Sequence, residues 1–144
     1  MNKWDKRFIE LAKCIASWSK DPSTKVGAVI VDLNHRIISV GFNGFAQGVK
    51  DSTDKLNNRE QKYPRIIHAE VNAILFSQRN LLDCIIYVWP MPPCARCASI
   101  IIQSGIKEVV TIHPTTEELE RWGTDIEIAN NDFWEAGVTV RYLL

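Results

Sequence analysis

The sequence predicts an α/β domain built on a five-stranded mixed sheet. Three observations carry that reading. Short apolar runs at residues 26–32, 37–41, 84–89, 108–112 and 138–142 have strand length and are rich in Val and Ile. Stretches with helical character separate the last three, which implies parallel pairing, because parallel neighbours need a crossover connection. Only the turn Leu33-Asn34-His35-Arg36 separates the first two, so they read as an antiparallel hairpin.

Each element follows from its residues. Over 4–19, Trp4, Phe8, Leu11, Ala12, Ile15 and Ser19 recur at spacings of three and four, predicting an amphipathic helix that Asp21-Pro22-Ser23 breaks. The run 26–32, Val-Gly-Ala-Val-Ile-Val-Asp, is apolar without alternation and reads as a strand buried on both faces. From Asn43 to Pro64 the chain is polar and has no clear period, so a long loop is expected; loops of that length in a compact domain are commonly functional. Residues 69–79 return to helical spacing through Val71, Ile74, Leu75 and Gln78. Pro92-Pro93 opens a helix over 94–103 that stops at Ser104-Gly105, and a helix over 126–135 stops at Gly137. Cys14 and Cys84 fall where core packing is expected, free cysteine behaving as a small hydrophobe.

Composition narrows the function. The 144 residues, 46% hydrophobic and 24% charged, suit one domain spanning 1–144. Seventeen Lys and Arg balance seventeen Asp and Glu, which favours a small substrate over a polynucleotide, whose phosphates demand a basic excess. No apolar run approaches the ~18 residues of a membrane span. Met1-Asn2-Lys3-Trp4-Asp5-Lys6-Arg7 is charged where a signal peptide would be apolar. The chain therefore reads as cytoplasmic (host cytoplasm if phage-encoded), with its four cysteines as thiols or metal ligands.

The chemistry concentrates in His68-Ala69-Glu70 and Pro93-Cys94-Ala95-Arg96-Cys97. A spacing of three at a helix start puts both sulfurs on one face, where the helix N-terminus favours thiolates. Catalytic zinc takes three protein ligands and leaves one position open, and His68 is the natural third. One zinc per chain is expected. Glu70 lies only two residues from His68, and in a regular helix their side chains would diverge by roughly 200°. Both reach one pocket only if His68 lies at or before the first turn, which leaves Glu70 beside the metal rather than on it. Ser23 and Lys25, just before the first strand, are candidates for a substrate phosphate. Met91 and Pro92 lead into the metal loop and are expected to line the pocket.

His-Ala-Glu followed by Pro-Cys-x-x-Cys resembles the zinc-dependent cytidine deaminase superfamily. Asp21-Pro22-Ser23-Thr24-Lys25-Val26-Gly27-Ala28, Gly41-Phe42-Asn43-Gly44, Lys62-Tyr63-Pro64, His68 to Ile74 and Ile101 to Lys107 are together similar to the deoxycytidylate (dCMP) deaminases. That resemblance implies a three-layer α/β/α cytidine-deaminase-like fold, with sheet order 2-1-3-4-5 and helices on both faces. It implies zinc-dependent conversion of dCMP to dUMP, with Glu70 as proton carrier, Asn43 on the sugar, and backbone groups at Ala69 and Glu70 on the base edge. It further implies a homo-oligomer, usually a hexamer, switched on by dCTP and off by dTTP. Asn43, Gly44, Gly48 and Asp51 match the effector segment, where Mg²⁺ would accompany the triphosphate. Ala46, Val49-Lys50 and the stretch Pro114–Asp125 depart from the family pattern. The alternatives are a deaminase of CMP, dCTP or tRNA adenosine, and an inactive zinc scaffold that binds nucleotide.

Overall fold

A computed structural model describes residues 1–143. Along the chain run α1 (Lys3–Ala16), β1 (Gly27–Val31), β2 (Ile37–Phe42), β3 (Gly44–Phe45), α2 (Thr53–Asn57), α3 (Arg59–Lys62) and β4 (Ile66–Ile67). They are followed by α4 (Ala69–Ser77), β5 (Ile85–Trp89), α5 (Ala95–Gln103), β6 (Glu108–Ile112), α6 (Thr116–Ala136) and β7 (Thr139–Leu143).

The main sheet has the order β2-β1-β5-β6-β7. Leaving aside the two-residue strands β3 and β4, which pair with each other, this is the expected order 2-1-3-4-5. β1 runs antiparallel to both β2 and β5, and β5, β6 and β7 are parallel. Alternation along β1 divides the core. Ala28 and Ile30 pack with Ala73, Ala98, Ile101 and Phe133, under α4, α5 and α6. Val29 and Val31 pack with Phe8, Ile9 and Ala12 of α1 on the opposite face. Two glycines let helices approach the sheet. A Cβ on Gly27 would fall 2.0 Å from the Ala12 carbonyl oxygen, and one on Gly41 would fall 2.4 Å from the Ala73 nitrogen.

Three expectations are corrected. The segment 43–64 is not one structureless loop: it contains β3, α2 and α3, with the side chains of Ser52 and Asn58 capping the two helices. Helices of one turn are too short to show a 3.6-residue period. The last helix begins at Thr116, ten residues before the expected start. A capping box between Thr115 and Glu118 starts it, and it runs through Gly123 to Ala136. Cys14 is exposed rather than in the core, because α1 buries Ala12, Ile15 and Ala16, and position 14 falls on the outer side. Cys84 is buried as expected.

One polar cluster ties α1 to β5, β6 and β7 on the face that α1 covers. The buried Asp5 carboxylate accepts from the Tyr87 hydroxyl at 2.7 Å and from both terminal nitrogens of Arg141 at 2.9 Å. Arg141 also reaches Glu108 through Nε. These bonds hold Asp5 below the usual carboxylate range, while burial and the Asp5 bond push the Tyr87 phenol well above its own.

Candidate active site

His68 immediately precedes α4 as its N-cap, with φ −70° and ψ 154°. That extended backbone removes it from the helical progression, so Glu70, buried in the first turn, shares a cavity with it. Cys94 holds the equivalent place before α5, where its sulfur accepts the Cys97 N–H at 3.4 Å. Cys97 lies one turn inside the helix and is buried. The two helix starts meet because α4 follows the β3–β4 ladder while α5 follows β5 of the main sheet.

The ligand-capable atoms of His68, Cys94 and Cys97 lie within 4.8 Å of one another. His68 Nδ1 is 3.2 Å from the Cys97 sulfur and 3.4 Å from that of Cys94. A tetrahedral zinc at ordinary bond lengths would separate nitrogen from sulfur by about 3.6 Å, so one imidazole and two thiols here fit that ion. The three groups are strongly coupled: one thiol is lowered while the other thiol and the imidazole are raised, so a bound cation would displace protons from His68 and Cys97. Hydrogen bonds from Cys97 and His68 bring the Cys94 thiol down to about 4, and the bond to Cys94 raises His68. The shared bond with Cys94, together with burial, pushes Cys97 far up. Burial raises the Glu70 carboxyl above the usual carboxylate range, which suits a group that must both take and give a proton.

His68, Glu70 and Cys94 line a cavity of about 530 Å³. Ser23, Asn43, Ala69, Met91 and Pro92 line it as well. Lys25 does not. In the extended run before β1, Thr24 and Val26 face the cavity, and alternation turns Lys25 outward to solvent. Among the expected effector residues only Asn43 borders the cavity. Gly44 lies in the β3–β4 ladder, Gly48 adopts φ +83°, and Asp51 pairs with Lys20 at 3.1 Å. Asn43 is heavily committed: its amide donates to Asp21 and to the Thr24 carbonyl, and its oxygen accepts the Val26 N–H at 2.9 Å. It therefore pins the 21–26 segment to the end of β2.

The sequence reading missed one wall entirely. Arg59, Lys62 and Tyr63 come from the α3 region, and Arg121, Trp122, Asp125 and Ile126 from the first half of α6. Lys62 is buried and spends its charge inside the protein, donating to Asp21 and Ser23 at 3.0 Å each. Among the described residues no carboxylate lies within 4.0 Å of Arg59 or Arg121. The Lys62-Tyr63-Pro64 match and the Thr115–Glu118 capping box were the available signals for these residues.

A three-layer α/β/α domain that presents a His-Cys-Cys set and a buried glutamate from two helix starts defines a zinc-dependent base-modifying fold and site. Residues 2–113 match the family model described as the cytidine and deoxycytidylate deaminase zinc-binding region, and the chain belongs to that family. It is 50% identical over 143 residues to an uncharacterized deaminase in the luxG 3′ region of Aliivibrio fischeri, covering 99% of this chain and 95% of that one. It is 37% identical over 147 residues to the deoxycytidylate deaminase of Mus musculus, covering 96% and 79%. The dCMP deaminase of cyanophage S-TIM5, solved in complex with dCMP and dUMP, shares the fold with a TM-score of 0.76 at 24% identity, each chain being 99% covered.

Proposed function

We propose that this chain is a zinc-dependent dCMP deaminase, a single catalytic domain that hydrolyses dCMP to dUMP and ammonia. The observation that carries the reading is that His68, Cys94 and buried Glu70 line one cavity of nucleotide size, with Cys97 clustered against His68 and Cys94. The deoxycytidylate deaminases among the relatives supply the substrate. His68, Cys94 and Cys97 hold one zinc. When bound, zinc acts as a Lewis acid that brings the pKa of a water from 15.7 toward ~7. Glu70 accepts a proton from the attacking water and delivers it to N3 of the pyrimidine. It next takes the proton of the new C4 hydroxyl and gives it to the departing amine nitrogen, so the C4–N bond breaks as the carbonyl forms and ammonia leaves. Burial keeps the Glu70 carboxyl basic enough for both transfers. The Ala69 backbone, Met91 and Pro92 border the space for the base.

The 5′-phosphate falls to Arg59, Arg121 and Ser23, in place of the expected Ser23 and Lys25. Lys62 is already neutralised by Asp21. Asn43 serves the sugar side chiefly by fixing the 21–26 segment, with one lone pair of its oxygen left over.

Ammonia release from dCMP, CMP, dCTP, deoxycytidine and a tRNA anticodon stem tests the assignment. dCMP is expected to give the highest kcat/KM. Silence on every cytosine nucleotide would leave only the zinc scaffold, and preference for the tRNA would transfer the chain to adenosine deamination.

Regulation is part of the proposal. The segment 43–51, with Gly44, Gly48 and Asp51, receives a triphosphate and its Mg²⁺, dCTP activating and dTTP inhibiting a cytoplasmic hexamer. The positive φ of Gly48 supports a backbone that can approach phosphate closely. Sedimentation reports the assembly. Hyperbolic substrate curves unmoved by either nucleotide would remove the regulatory claim.

A further inference from the structure

We infer that Asp125 is a positioning residue for the metal site, acting through the backbone of Cys94. The inference rests on reading Cys94 as a zinc ligand. Asp125 lies on α6, and one of its carboxylate oxygens accepts the N–H of Ala95, the first residue of α5, at 2.9 Å. That N–H is one of the four donors a helix start leaves without an internal partner. The peptide plane that carries it also fixes ψ of Cys94, held at 169°. Cys94 is thus oriented from both sides: its sulfur accepts the Cys97 N–H, and the following peptide is anchored to Asp125. No other side chain among the described residues holds the Ala95 N–H.

The anchor comes from a different layer of sequence than the ligands. Asp125 sits one helical turn beyond Arg121, on the α6 face that also brings Trp122 to the cavity wall. The same stretch of α6 therefore closes the substrate cavity and sets the direction of one metal ligand. Partners that orient a ligand, rather than contact the metal, typically carry a 10- to 100-fold effect on metal affinity.

The test is zinc affinity of the full chain, read by competition with a chromophoric chelator. Asp125→Ala should weaken zinc binding by about 10- to 100-fold, and Asp125→Asn, whose amide oxygen still accepts the Ala95 N–H, should stay within about threefold of wild type. Hydrogen exchange of the segment containing Ala95 should quicken in the alanine variant alone, while the β5 segment stays protected. Asp125→Leu keeps bulk and helix propensity but cannot accept, and it gives the same comparison should the alanine variant fail to fold. Wild-type zinc affinity in Asp125→Ala, alongside loss of zinc in Cys94→Ala, would overturn the inference and leave the ligand reading standing. An equal loss in the alanine and asparagine variants would overturn it too, because the hydrogen bond would then not be the cause. Wild-type zinc affinity in Cys94→Ala would remove the ligand reading and the inference with it.

Discussion

Gly41→Ala tests how the sheet positions the catalytic helix. Gly41 lies on β2, directly beneath α4. Its added Cβ would sit 2.4 Å from the Ala73 nitrogen and 2.5 Å from the Ala69 carbonyl oxygen. Both obstacles are helix backbone, which no rotamer change can remove. Non-bonded carbon contacts favour about 3.5 Å, so α4 must retreat from the sheet by about 1 Å. Overpacking of this kind typically costs about 1–3 kcal/mol. For a chain of this length, 2 kcal/mol lowers Tm by roughly 4–8 °C. The functional loss should exceed the stability loss, because α4 begins with His68 and Glu70. A displacement of about 1 Å at reacting groups can cost ~10²-fold in rate. Thermal melting, elemental zinc analysis and ammonia release would be measured together. Gly123→Ala is the control: its Cβ meets nothing within 4 Å, and alanine is favoured over glycine inside a helix by about 1 kcal/mol, so Tm should rise with activity unchanged. If Gly41→Ala melts with wild type and keeps kcat/KM within twofold, the claim that β2 fixes the position of α4 is wrong.

Three further outcomes are expected. Glu70→Gln should keep zinc and bind dCMP yet lose ~10⁴-fold in turnover, the upper end for a general acid–base group; more than a tenth of wild-type rate remaining would exclude it as proton carrier. Arg59→Ala and Arg121→Ala should each lower kcat/KM for dCMP by about tenfold, the lower end for charge-assisted bonds at exposed side chains, and leave the slow reaction of deoxycytidine unchanged. Equal losses on both substrates would place these residues elsewhere than on the phosphate. Asp5→Asn should destabilise the fold by about 3 kcal/mol, near the low end for a broken buried pair because Arg141 is 38% exposed. Asp5 has a folded pKa below its unfolded value, so its contribution is complete above about pH 4 and disappears as pH falls through the folded value. The Tm gap between wild type and variant should therefore be widest near neutrality and close in acid, and a gap that widens in acid would reverse the assignment.

The elements legible in the sequence were those whose signal is local and repeated. The five strands of the main sheet and α1, α4 and α5 followed from apolar period and punctuation; the antiparallel β1–β2 hairpin and the parallel run β5–β6–β7 followed from connection length, while the antiparallel β1–β5 pairing had no local signal. The metal set was legible because a Cys-x-x-Cys after Pro93 and a His-x-Glu are chemically specific at any location. The wall proposed for the phosphate was not. Arg59 and Arg121 are ordinary surface charges in sequence, and only the packing of α3 and α6 around the cavity brings them together. Lys25 misled because its neighbours Thr24 and Val26 do face the cavity, and one residue of register reverses the side chain. Asp125 was invisible because its partner is a backbone N–H thirty positions away.

The short β3–β4 ladder marks where this protein can change length. Residues 44–45 pair with 66–67, and His68 follows at once, so the stretch between them, α2 and α3 included, is pinned at both ends beside the His-Cys-Cys cluster. Lengthening a pinned loop adds closure entropy only logarithmically, about 0.6 kcal/mol for each doubling. The part nearest β3, residues 46–52, contains no cavity-lining side chain. Extra sequence can therefore be grafted there at little cost to the fold, at the expense of the segment proposed for the effector. Length variation in natural chains of this architecture should collect at that point, and an engineered binding module would be best inserted there.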